Sequence, residues 1–430
     1  MKKEGSQLTD ISKASILKVS TTRVKELGGR DATVLEHSGL RVMVDDIGGM
    51  IPELSLIRGK EIINAHWFPW FRSNSGLGFS ETGGGAFWKG SLLYHIAGNF
   101  PCIPNFGPGH NIDAFEMPPH GWTANLPWAF RSSGTDSETG AAYALSTMES
   151  PEGAVPLSFR KIDAIMPGQN VHYTSIEIKN GGNKDLEICA AWHNTVGAPF
   201  LAEGCRISGA ASAWATMPLG SEFDDTTRLL PGKDFPSLAE APLSAGGTVD
   251  LSRVPGPIGY TDFAAGSIPA SAALGWSSVV NPSLKAAYIC FFTGQAAAGG
   301  DDLIFRFNNL WMQYGGRHFA PWAAYEGGTD FTYCLGTENS RSAYALGLDY
   351  ARQKGQVLGA PTTATIPASS QKTIRYGTLF APYEASALDE GTLSLDAEDG
   401  ALVGSGKGGT CRFAADPGFA VLKGLEKRVK

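Results

Sequence analysis

The chain has 430 residues, 43% of them hydrophobic and 18% charged. That is apolar enough for a sizeable core and argues against disorder of the chain as a whole. A net charge of −7 disfavours a nucleic-acid footprint, and the one dense basic run, LEKRVK, reads as a solvated tail. Fifty-four glycines and 25 prolines, with 10% aromatic residues, favour many short strands joined by tight turns over helices.

In chain order, MKKEGSQLTD carries two lysines with no apolar run behind them, and no stretch reaches 18 apolar residues. Neither a leader nor a membrane span is expected, and a cytoplasmic location is the default. LRVMVDDIGG (40–49) alternates at period two and ends in a Gly-Gly turn, a strand signal. VHYTSIEIKNGGNKDLEICAAWHN (171–194) reads as a hairpin: YTSIEIKN alternates, NGGNKD turns and LEICAAWHN returns. Further strands are expected at KAAYICFF (285–292), DLIFRFNNLWMQY (302–314), FTYCLGTE (331–338), TTATIP (362–367) and QKTIRYGTLFAP (371–382). Residues 204–284, rich in Ala, Gly, Ser and Pro, read as a long excursion without the bias of a disordered tether. SRSAYALGLDYARQKG (340–355) is the best helix candidate, with Gly355 as its stop. The pattern as a whole predicts an all-β fold, one large antiparallel double-sheet sandwich.

Six cysteines (Cys102, Cys189, Cys205, Cys290, Cys334 and Cys411) form no C-x-x-C pair and read as small buried hydrophobes. His110 and His120 have no cysteine at zinc spacing, and the glycine run ETGGGAFWKG (81–90) lacks the helix a phosphate cradle needs. No metal and no cofactor are expected.

Three polar spots stand among aromatic and turn residues. The first is the irregular stretch FPCIPNFGPGHNIDAFEMPPHGWTANLPW (100–128), where His120 precedes Gly121 and Trp122. The second is CAAWHNTVGAPF (189–200), where His193 and Asn194 end an apolar strand. The third is LWMQYGGRHFAPW (310–322) with FTYCLGTENSR (331–341), where Glu338 breaks an apolar run. A desolvated carboxylate and an imidazole suit proton transfer near neutral pH. Taken one at a time, each also fits a structural role: a turn-capping His120, a core His193, a strand-end Glu338 in water. Aromatic rings beside carboxylates and amides suit a sugar, whose C–H face packs on a π system while its hydroxyls take hydrogen bonds.

Together these segments resemble the aldose 1-epimerase, or galactose mutarotase-like, superfamily. IGGMIPELSLIRGKEII (47–63) resembles its opening hairpin, and PPHGWTANLPW (118–128) its His-Gly element. IEIKNGGNKDLEICAAWHNTVGAPFL (176–201) resembles the hairpin ending in a Trp-His pair, and TYCLGTEN (332–339) the strand ending in the catalytic Glu. VLGAPTTATIPASSQKTIRYGTLF resembles the closing strand pattern. The resemblance spans roughly residues 30–385 and implies the same large antiparallel β-sandwich, with 1–29 as an N-terminal segment and 386–430 as an extension packed on it. It implies Glu338 as base, His193 as acid and His120 as a substrate-binding residue at the anomeric carbon of an aldose. Asn105, Asn194 and Trp122 are candidate sugar contacts. The family's Asn-x-Arg pair is broken at PNFGPGHN, so Arg317 or Arg341 is the candidate replacement. Asp250, then Asp225, is the candidate acidic grip. A non-catalytic sugar-binding or sensing protein is the alternative, and a glycosidase or lyase a further one. A glycosidase needs a second carboxylate, for which Glu326, Asp330 and Glu116 are candidates. The expected partner is a small carbohydrate, with no nucleic acid and no membrane.

Overall fold

The computed structural model describes residues 18–25, 29–73, 92–112, 115–219, 227–317, 322–323 and 332–430. The chain is an all-β antiparallel sandwich built around two eight-stranded sheets. The first sheet runs in the order Arg206–Gly209, Leu274–Asn281, Ala286–Thr293, Gln371–Pro382, Val171–Asn180, Leu157–Ile165, Ala142–Glu149, Ala129–Thr135. The second runs Asp234–Phe235, Ala213–Thr216, Tyr260–Ser267, Phe307–Tyr314, Tyr333–Ser340, Ala191–His193, Phe100–Cys102, with Thr195–Gly197 also paired to Tyr333–Ser340. A five-stranded sheet spanning Ser20–Lys25 to Glu61–Asn64 completes the body.

The strand Phe307–Tyr314 shows why these residues make this fold. All eight are buried, and successive side chains point to opposite faces. Leu310, Met312 and Tyr314 join the main core, which also holds Ile176, Tyr288 and Tyr376 from the first sheet. Phe307 and Trp311 point the other way, into a second cluster with Trp67, Phe71, Phe106, Trp322 and Leu348. The second sheet is therefore covered on both faces, by the first sheet on one and by aromatic loops on the other. Its polar members, Asn308, Asn309 and Gln313, are buried too and have to find partners inside the protein, as Asn309 Nδ2 does by donating to Ser340 Oγ at 2.8 Å.

Several expectations need correction. The stretch LEICAAWHN is not one strand returning along 171–180. It breaks into Leu186–Ile188, which pairs with Ala364–Ile366, and Ala191–His193, which pairs with Tyr333–Ser340 and Phe100–Cys102. The long strand Val171–Asn180 pairs with Leu157–Ile165 and Gln371–Pro382 instead. Residues 204–284 are not an excursion: Arg206–Gly209 and Leu274–Asn281 extend the first sheet, and Ala213–Thr216 and Tyr260–Ser267 extend the second. The strand Ser20–Lys25 pairs antiparallel with Asp31–His37. The basic tail is a helix, Ala420–Arg428, that buries Val421, Leu422 and Leu425. The helix expected over 340–355 is shorter, Leu348–Lys354, and stops at Gly355.

Residues beyond 386 lie across the outer face of the first sheet. Leu395, Leu402, Phe413, Phe419 and Leu425 pack against Tyr173, Ile289, Phe291 and Leu379. Phe419 stacks on Phe291 with ring centroids 5.5 Å apart. Arg375 on the sheet binds Glu426 at 2.7 Å, and Arg428 binds Asp136 at 2.8 Å.

Candidate functional site

The site is built on the loop-covered face of the second sheet. Trp192 lies opposite Asn339 and His193 opposite Phe100, which sets His193 beside Glu338 on the neighbouring strand. His193 Nε2 is 3.1 Å from Glu338 Oε1, and both side chains are buried. Two residues on, Thr195 faces the same side, and its Oγ1 lies 2.9 Å from His193 Nδ1. Gly336 lies opposite Thr195, and a Cβ there would sit 3.1 Å from both Glu338 Oε1 and Trp311 Cβ. The missing side chain thus leaves the carboxylate its room.

Aromatic rings wall the pair. Phe100 stacks on the His193 imidazole at 4.4 Å, and Trp311 meets it edge-on at 6.0 Å. The His120 ring is perpendicular to that of His193, with centroids 5.3 Å apart. Burial lowers the His193 pKa well below the usual imidazole range, and the neighbouring His120 adds to this. Burial lowers His120 to about 4. Burial therefore favours the uncharged form of both rings.

His120 reaches this spot through strict backbone geometry. Its amide donates to Gly107 O at 2.9 Å, and its φ is 60°. Gly121 follows at φ 78°, ψ 179°, a region essentially restricted to glycine, and a Cβ there would meet Ile103 O at 2.4 Å. Thr123 Oγ1 fastens the same turn to Pro101 O at 2.7 Å.

Arg317 lies beside Trp311, one of the rings that wall the pair. It is fully buried, with its guanidinium 4.5 Å from the Trp322 ring centre and 5.4 Å from that of Trp311. Arg341 is placed elsewhere, donating to Thr363 O at 2.8 Å and Ile304 O at 3.3 Å.

Other sequence candidates fall away from the pair. Asn194 points to the opposite face, between the two sheets. Its Nδ2 donates to Tyr376 Oη at 2.6 Å, and Tyr376 belongs to the first sheet. Adjacent strand residues cannot share a face, so His193 and Asn194 cannot both line one site. Trp122 is a main-core residue, not a wall of the site. Asn105 is buried and committed to backbone: Nδ2 donates to Pro108 O at 2.8 Å, and Oδ1 accepts from Leu348 N at 2.9 Å. It ties the His120 loop to the helix Leu348–Lys354. Asp250 accepts from Ser252 N at 2.9 Å and Arg253 Nε at 3.2 Å in a surface turn. His110 approaches Asp349 at 4.0 Å, and Glu116 is exposed. Asp225, Glu326, Asp330 and the glycine run at 81–90 lie outside the described residues. Among the described residues, no group of three or more His, Cys, Asp or Glu side chains is placed to hold a metal. Nor is any helix there long and apolar enough to cross a membrane.

Sequence reasoning missed Thr195, although period two from His193 points to it. It also missed Trp67, whose amide donates to Thr195 O at 2.9 Å. The Trp67 ring stacks on Trp322 at 5.9 Å.

Sequence comparison finds neither a matching family model nor a similar curated protein. Solved structures do match. A provisionally named aldose 1-epimerase from Klebsiella pneumoniae superposes with a TM-score of 0.58 at 13% identity, over 84% of this chain and 83% of its own. A galactose mutarotase-like protein from Clostridium acetobutylicum gives 0.53 at 11% identity, over 85% and 99%. A second provisionally named aldose 1-epimerase, from Escherichia coli K12, gives 0.50 at 14% identity, over 84% and 100%. The chain therefore has the galactose mutarotase-like fold. At these identities the likeness is one of architecture, and function has to be argued from the site.

Proposed function

We propose that the chain binds a small carbohydrate and interconverts the anomers of an aldose. The observation that carries this is the His193–Glu338 contact at 3.1 Å, on an aromatic-walled face with His120 alongside. In this reading His193, charged in the sugar complex beside Glu338, gives its Nε2 proton to the ring oxygen and becomes a neutral ring, while Glu338 removes the proton from the anomeric hydroxyl. The ring C–O bond breaks as the C1–O bond becomes a carbonyl. Rotation about C1–C2 presents the other face of the aldehyde. Closure reverses both transfers: His193 recovers its proton from the ring hydroxyl and Glu338 returns its own to the new anomeric oxygen. His120 and Arg317 would hold sugar hydroxyls. The mechanism needs no covalent intermediate.

The fold of the aldose 1-epimerase-like neighbours supports the substrate class, and the paired acid and base support the reaction. The test is polarimetry on freshly dissolved α-aldoses with wild type and Glu338→Gln. Losing the base should slow catalysed mutarotation about 10²- to 10⁴-fold while calorimetry still detects sugar binding. Equal rates for the two proteins would sink the assignment.

One observation favours a second reading. In the resting site the acid and the base bond to each other, so a sugar has to exchange that bond for its own. A non-catalytic sugar-binding protein would keep the contact. Sugar binding with no acceleration of mutarotation by wild type would select it.

A further inference from the structure

We propose that Thr195 is a positioning residue that fixes the tautomer of His193, its hydroxyl donating to Nδ1 so that the ring proton sits on Nε2, facing Glu338. This rests on the reading of His193 as the proton donor and adds the group that holds its Nε2 toward Glu338.

The geometry comes from strand register. Thr195 is two residues beyond His193, on the same face, and is 1% exposed. Its Oγ1 lies 2.9 Å from His193 Nδ1, while Nε2 at the far side of the ring lies 3.1 Å from Glu338 Oε1. A neutral imidazole carries one proton, and two arrangements are open to it. With the proton on Nδ1, the Nε2 lone pair would face the lone pairs of an ionised carboxylate, a repulsive contact in a buried place. With the proton on Nε2, the ring donates to Glu338, and Nδ1 accepts from the Thr195 hydroxyl beside it. Every polar atom of the ring is then satisfied, as burial demands.

A hydroxyl also suits the reaction better than a fixed donor would. Thr195 can donate to bare Nδ1 and, by rotating about its C–O bond, accept from Nδ1–H if the ring becomes charged. The ring keeps its partner and its orientation through either proton count. The strand itself is pinned by Trp67, which crosses it where Gly197 has no side chain: a Cβ there would lie 2.7 Å from Trp67 Cα. Rotation of the hydroxyl therefore needs no movement of the backbone.

The experiment uses the full chain, ligand-free at neutral pH, with histidine ring nitrogens labelled with ¹⁵N. His193→Gln assigns the His193 signals. Wild type and Thr195→Ser should show a protonated Nε2 and a bare Nδ1. Thr195→Val, nearly isosteric, should show a mixture or the other tautomer. An Nδ1–H ring in wild type, or a Thr195→Val spectrum identical to wild type, overturns the proposal. The wild-type spectrum decides the tautomer even if the valine variant does not fold. In the polarimetric assay Thr195→Val should lower kcat about tenfold with KM unchanged, the loss expected for one buried hydrogen bond, and Thr195→Ser should restore it. An unchanged kcat in Thr195→Val overturns the positioning role. If wild type shows no mutarotation, the proposed function fails by itself, and the spectra still decide the role of Thr195.

Discussion

Gly121→Ala tests how His120 is delivered to the site. Two separate costs can be worked from the structure. The backbone at residue 121 has φ 78° and ψ 179°, and holding alanine there costs about 1–3 kcal/mol. The new methyl would lie 2.4 Å from Ile103 O and 3.0 Å from Asn105 N, both main-chain atoms that cannot swing aside. Overpacking of that kind costs roughly another 1–3 kcal/mol. The sum, about 2–6 kcal/mol, is a large share of the roughly 5–15 kcal/mol that holds a typical domain folded. Urea unfolding followed by tryptophan fluorescence and far-ultraviolet circular dichroism measures it, with His120→Ala as the control that removes the imidazole and keeps the turn. Gly121→Ala should be clearly less stable than His120→Ala and should bind sugar at least as weakly. A loss below about 1 kcal/mol would refute the claim that this turn is built for glycine alone.

Asn194→Leu should cost about 2–4 kcal/mol in urea unfolding while leaving sugar affinity unchanged, because it removes donors to Tyr376 Oη and Thr337 O between the sheets. Weakened sugar binding at unchanged stability would return Asn194 to the site. Acid should destabilise the fold. Burial lowers His66 to about 3 and His95 and His120 to about 4, with His193 and His37 shifted in the same direction. Below the unfolded-state pKa of about 6.5 the unfolded chain takes up protons that the folded one refuses, so stability falls with falling pH until the folded pKa values are reached. By pH 5 His66, His95 and His120 each remove roughly 2 kcal/mol. A series of urea midpoints from pH 7 to 4.5 that stayed flat would contradict the neutral assignment of these rings.

The sheet architecture was legible because the strands that build it are long and buried. QKTIRYGTLFAP, KAAYICFF and LRVMVD carry their pattern locally, and each forms close to where it is expected. The partners of those strands were not legible. The turn NGGNKD looks like a hairpin closure, yet the chain after it leaves for other neighbours, since pairing is decided by cores far apart in sequence. At the site, His193, Glu338 and His120 were legible as polar residues interrupting apolar context, and the fold brings them within contact. Asn194 was misplaced by reading it with its neighbour: the same alternation that puts His193 on the loop side puts Asn194 between the sheets. Trp122 was misplaced because a tryptophan after His-Gly looks like a sugar platform, while the short turn Trp122–Asn125 directs it into the main core. Asp250 carried no local signal. Its carboxylate is occupied by its own turn, an arrangement that depends on backbone conformation.

The cover formed by the residues after 386 bears on how the chain matures. Every strand beneath it precedes it in sequence, so during synthesis the outer surface around Tyr173, Ile289 and Phe291 emerges before anything can shield it. An exposed sheet face of that kind is prone to stick to other nascent chains. The clamps that Arg375 and Arg428 make with Glu426 and Asp136 then join the first sheet to a segment made after it. Expression trials that cut the chain near residue 386 would leave the His193–Glu338 face intact and fail through aggregation on the opposite side of the molecule.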